Sequence, residues 1–148
     1  SNIYMDVSTI FLPLHLITLL FVACNVAHAD HMGFTWMRGK VATLDIEIVK
    51  KYHKRVWIGI ILMIVTGATL FYPMREFLLS RPQFYVKMGF VLALVINSFV
   101  IGNLSKIPTT RTFASLSIKE KLLLMISGAV STLSWLGATL GGFFLIPD

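Results

Sequence analysis

The residues best able to do chemistry are four histidines. Three of them, His15, His28 and His31, lie in the stretch HLITLLFVACNVAHADH, with Asp30 between the last two. An imidazole there can ligate a metal, carry a proton or satisfy a hydrogen bond. On a helix of 3.6 residues per turn, His15, Thr18, Asn25 and His28 share roughly one side. A second polar set lies in RPQFYVKMGFVLALVINSFVIGN, where Lys87 is followed by Asn97 and Ser98. Ionisable groups at the centre of a spanning helix cost roughly 2.5–3.5 kcal/mol each on insertion scales. Where they occur they face the bundle interior and mark function.

Each of these residues also has a purely structural role open to it. Lys87 can extend its long stem to the membrane interface. His15 is too short for that, so its structural role is a neutral imidazole bonded to a serine, threonine or backbone carbonyl. His28, Asp30, His31 and His53 read either as solvated interfacial side chains or as an alternative metal site for zinc or copper. His28-x-x-His31 alone supplies only two nitrogens.

The elements that must position these residues are membrane spans. Of 148 residues, 56% are hydrophobic and 14% charged. A soluble domain is nearer half apolar and a quarter charged. Uncharged runs extend over Val7–Ala29, Val56–Pro73, Met88–Ser105 and Leu122–Pro147. Each can cross about 30 Å of hydrocarbon at about 1.5 Å per residue. The expected fold is an all-α integral membrane protein, a single 1–148 domain forming a four-transmembrane-helix bundle. Its spans fall near 7–29, 56–73, 84–105 and 122–146, with a long cytoplasmic connection over 30–55. The first run lacks a basic leader region, so it reads as a span and not as a cleaved signal peptide. Met5 offers a native start, which leaves Ser1–Tyr4 as an addition to it or as part of a longer chain. The one cysteine, Cys24, has no partner for an intrachain disulfide and reads as a small packing residue.

Charge sets the expected orientation. The 30–55 connection holds six basic residues: Arg38, Lys40, Lys50, Lys51, Lys54 and Arg55. The Lys106–Lys121 connection holds four, Lys106, Arg111, Lys119 and Lys121, against only Arg75 and Arg81 in the 74–83 connection. Basic connections favour the cytoplasmic side. Both termini are therefore expected on the outer side of what reads as a bacterial inner membrane. The same rule accounts for the +6 net charge without a nucleic-acid partner. On this topology His15 lies about 12 Å and Lys87 about 6 Å into their helices from the outer side. The two are at comparable depth, while His28, His31 and His53 gather at the inner end.

Local signals mark the helix ends. Ser80-Arg81-Pro82-Gln83 and Ser117-Ile118-Lys119-Glu120 read as capping boxes before the third and fourth spans. Thr43 reads as the cap of a second helix running from about residue 44 to Tyr72, with Asp45 and Glu47 in its first turn. Pro13 is expected to kink the first helix without breaking it. Tyr4, Tyr72 and Tyr85 form the expected outer aromatic belt, and Trp36 and Trp57 the inner one. Ser127, Ser131, Ser134, Ala138 and Gly141 form a small-residue seam, suited to tight packing in the bundle or to a homo-oligomer through the Ser127–Gly141 face.

The segments VWIGIILMIVTGATLFYP and RPQFYVKMGFVLALVINSFVIGN resemble the second and third spans of the HemJ-type protoporphyrinogen oxidases and their CopD-like relatives. These are small four-helix membrane proteins associated with haem or copper. Their functional pair is a histidine early in the first span and a lysine in a Val-Lys pair opening the third. The resemblance assigns those roles to His15 and to Lys87, within Val86-Lys87. It implies a b-type haem with His15 and Lys87 as axial ligands and electrons drawn from a porphyrinogen; Thr18 and Asn97, from the polar sets of the same two helices, are the candidate pocket lining. The third span here ends Ile96-Asn97-Ser98 without the family's tyrosine-histidine. A small-residue helix over 127–142 replaces its arginine- and asparagine-rich C-terminal segment. The resemblance thus points to a haem scaffold more than to that oxidase activity.

A lysine ligates iron only when neutral, and metal binding itself favours that form. Nitrogen ligands from two facing helices are a usual way to hold a cofactor in a bundle. Two filled axial positions favour electron transfer over oxygen binding. The leading expectation is a membrane-embedded b-type haem redox protein, an electron-transfer protein or oxidoreductase, with a redox partner docking on the basic cytoplasmic connection. Two other classes stand beside it. One is a copper- or ion-handling transporter with His28, Asp30, His31 and His53 as an inner gate. The other is a cofactor-free structural subunit of a membrane complex. No nucleophile with its base, phosphate loop or paired-carboxylate site occurs, which argues against hydrolytic chemistry.

Overall fold

The computed structural model describes residues 2–143, with side chains from Asp6 onward. The Tyr4 ring and the 144–146 end of the fourth expected span lie outside the described residues. All regular structure within them is helical: α1 (Asn2–Met37), α2 (Ile46–Leu79), α3 (Pro82–Leu104), α4 (Lys106–Thr110), a 3-10 turn (Phe113–Ser115) and α5 (Ile118–Phe143). Four of these segments are long and apolar enough to cross a membrane.

The packing inverts that of a soluble bundle. Buried apolar side chains are few: Val22, Trp36, Ile60, Leu94 and Leu116. Buried polar ones are more numerous, with Asn25, Thr66, Asn97, Ser98, Ser127, Ser131 and Ser134 all inside. Ile17, Leu20, Leu92, Phe99 and Leu133 are exposed, as suits contact with lipid tails. Hydrocarbon offers no hydrophobic drive between helices, so close backbone approach and interhelical hydrogen bonds must hold them. Both are present. A Cβ at Gly59 would overlap a Val22 methyl where α2 crosses α1. One at Gly137 would lie 2.7 Å from the Phe90 ring where α5 crosses α3. Asn97 donates to the Ser127 carbonyl at 2.9 Å, and the Ser127 hydroxyl donates back to Asn97 Oδ1 at 3.0 Å. The face carrying Ser127, Ser131 and Ser134 is therefore taken up inside the chain.

Two tight pairs result. α1 packs along α2, α3 packs along α5, and the pairs meet chiefly through α2 and α3. The space between the pairs is where a site can form.

Helix ends differ in detail from the sequence expectations. α1 runs on to Met37 and α2 starts at Ile46, so most of the expected 30–55 connection is helical. α1 stops where Gly39 takes φ +72°, with Gly39 N–H donating to Trp36 O and Lys40 N–H to Thr35 O, the paired bonds of a glycine-terminated helix. Asp45, not Thr43, caps α2, its carboxylate accepting from Glu47 N–H at 2.8 Å. α2 also continues through Pro73 to Leu79. Ser80 caps nothing at α3, because its hydroxyl donates to Phe77 O at 2.6 Å and closes α2 instead. The Ser117–Glu120 box forms as expected, with bonds in both directions.

Candidate functional site

His15 projects from α1 toward α2. Its Nδ1 lies 2.6 Å from Thr66 Oγ1. The Thr66 hydroxyl sits 2.8 Å from Leu62 O, and it has a single hydrogen to give. With that hydrogen donated to Leu62, Thr66 can only accept from the imidazole. The imidazole then donates from Nδ1, and in its neutral form it carries a bare lone pair on Nε2. Gly67 helps to seat it: a Cβ there would lie 3.4 Å from His15 Cε1, so the glycine leaves the ring free on that side.

Lys87 sits in the first turns of α3, half-buried against α5. Its stem lies over Gly141, where a Cβ would come within 3.1 Å of Lys87 Cβ, and its Nζ lies 3.0 Å from the same construction at Gly142. The glycine pair makes the bed for the lysine. Lys87 and His15 lie on opposite helix pairs.

Thr18 and Asn97 are engaged elsewhere. Thr18 donates to Leu14 O within its own helix, and Asn97 is committed to Ser127. The inner group does not converge. His28 stacks on Tyr52 at 5.2 Å between ring centroids. His53 Nε2 accepts from Trp57 Nε1 at 3.1 Å. Asp30 reaches the Thr132 hydroxyl of α5, and His31 is exposed. Among the described residues, no three His, Cys, Asp or Glu side chains come together to hold a metal ion. The alternative zinc or copper site at His28, Asp30, His31 and His53 is therefore not assembled. Helix geometry gives the reason, since residues two apart on a helix are about 200° apart around it. His28 and Asp30 must diverge.

Three participants were not singled out from sequence: Thr66, the Gly141–Gly142 pair in its role beneath Lys87, and Trp135, which lines a cavity at the other end of the bundle. Thr66 had one visible signal, a hydroxyl followed by glycine in an otherwise apolar run.

Comparison of the chain with protein-family models, curated proteins and solved structures returns no match.

Proposed function

We propose that the protein is a membrane-embedded b-type haem electron-transfer protein with His15 and Lys87 as axial ligands. In this reading both chain ends lie outside a bacterial inner membrane. The observation that carries it is the relay from His15 Nδ1 to Thr66 to Leu62 O. Metal-ligating histidines almost always donate their second ring nitrogen to a fixed acceptor, which sets the tautomer and aims the other nitrogen. His15 fits that arrangement when the Thr66 hydrogen goes to Leu62 O.

The residues around it fit the same role. Lys87 brings a second nitrogen from the opposite helix pair, and Gly141 and Gly142 leave its stem unobstructed. Lys87 must give up a proton before it can ligate. Haem, when bound, supplies a one-electron couple. Thr66 holds the imidazole, and the exposed apolar shell of the bundle keeps water from the site. Lys50, Lys51, Lys54 and Arg55 form a basic face at the head of α2, the docking surface for an acidic redox partner.

The experiment is a reduced-minus-oxidised difference spectrum of protein purified from haem-replete membranes. A reversible b-type spectrum is expected. A colourless protein that stays colourless when haem is supplied would show that the His15–Thr66 bond serves packing alone, as in a structural subunit.

A further inference from the structure

A cavity of about 220 Å³ lies between the helix pairs at the basic end of the bundle, lined by all four long helices. Most of its wall is apolar, and Tyr52 and Trp135 are among the lining residues. The connections close one end: Leu44 and Pro108 both line it, and Leu44 N–H donates to Pro108 O at 2.8 Å.

The lining carries one formally charged residue. Asp30 is the only carboxylate in the lining, and no lysine or arginine joins it. Among the described residues the one ion pair is Arg111–Glu120, so no cationic side chain answers Asp30. A carboxylate in an apolar lining without a cationic partner can pair with a cation from outside the chain. His53 adds no positive charge, because its Nε2 accepts from Trp57 and an accepting ring nitrogen carries no proton. The hydrogens of the Ser98 and Ser127 hydroxyls are already donated, to Leu94 O and Asn97 Oδ1. Those two serines present only acceptor lone pairs to the cavity. An ammonium group has donors and no acceptor, which is the complement of these groups. An anion would face Asp30, and a metal ion finds no set of three ligands among the described residues.

We propose that this cavity binds a small amphipathic organic monocation of the primary-ammonium class. The ammonium pairs with the Asp30 carboxylate and the serine oxygens, and the apolar body lies against the walls. Trp135 provides an aromatic face of the kind that attracts cations. His15 and Lys87 do not line the cavity, so the proposal stands independently of the haem reading.

The test is calorimetric titration of the full chain in detergent with benzylammonium chloride, against benzyl alcohol as a neutral ligand of matched shape. Saturable binding of benzylammonium, much stronger than that of benzyl alcohol, is expected. Asp30→Asn should weaken it roughly tenfold or more, the scale of a charged hydrogen bond. Ser131→Leu, which fills the cavity, should weaken it similarly, and His15→Ala should leave it unchanged. Equal binding of the charged and neutral ligands overturns the proposal, as does wild-type affinity in Asp30→Asn. If Asp30→Asn does not fold, the ligand comparison on the native chain and Ser131→Leu still decide it.

Discussion

Thr66 has one hydroxyl hydrogen, and where that hydrogen goes fixes what His15 can do. Donated to Leu62 O, it makes Thr66 an acceptor and His15 an Nδ1–H tautomer. Thr66→Val keeps the side-chain shape and removes the acceptor. Haem affinity measured by spectral titration should then fall roughly 10- to 100-fold, the usual effect of losing a ligand's orienting partner. Thr66→Ser should retain it. Equal affinity in all three proteins would mean that His15 needs no orientation. His15 and Lys87 stood out in the sequence because ionisable groups are rare in spans and their depths follow from counting residues. Thr66 did not, because its partnership with His15 depends on how α1 and α2 are rotated about their axes, which residue counting leaves open. The same ignorance of rotation made Asn97 look like a pocket residue when it is a clamp on Ser127.

Each helix pair is fastened by a glycine beneath a bulky neighbour. Gly59 lies under Val22, which is 0% exposed and β-branched, so it has nowhere to turn. Gly59→Ala should destabilise the protein by about 1–3 kcal/mol, the usual range for overpacking. The loss should appear in detergent-denaturant unfolding, and Val22→Ala should partly restore the stability of Gly59→Ala. Strict additivity of the two substitutions would contradict the contact. The four long helices were legible because a bilayer imposes length and apolarity on every span. Their ends were less so. Trp36 extends α1 past the apolar run by packing edge-on against Phe113 and donating to Arg111 O at 3.0 Å. Both are contacts with a distant part of the chain. Gly39 was a local signal for the stop. Ser80 had the capping pattern but sits where α2 ends as α3 begins, and its hydroxyl serves the helix behind it.

At the scale of the molecule, tight pairs with a looser seam leave a cavity between them at the basic end. His15 and Lys87 lie toward one end, and the Asp30 cavity lies toward the other. The proposed orientation, with the basic connections on the cytoplasmic side, can be read by labelling. On a Cys24→Ser background, Thr112→Cys should react with a membrane-impermeant maleimide only from the cytoplasmic side, and Glu76→Cys only from outside. The reverse pattern would invert the topology. The proposed haem site rests on His15 and Lys87. Its most direct test is a haem titration of the purified wild type, His15→Ala and Lys87→Ala, followed by absorption. A Soret band that saturates at one haem per chain is expected in the wild type, with altered ligation or lost saturation in each variant. A band identical in all three proteins, or none in the wild type, would contradict it.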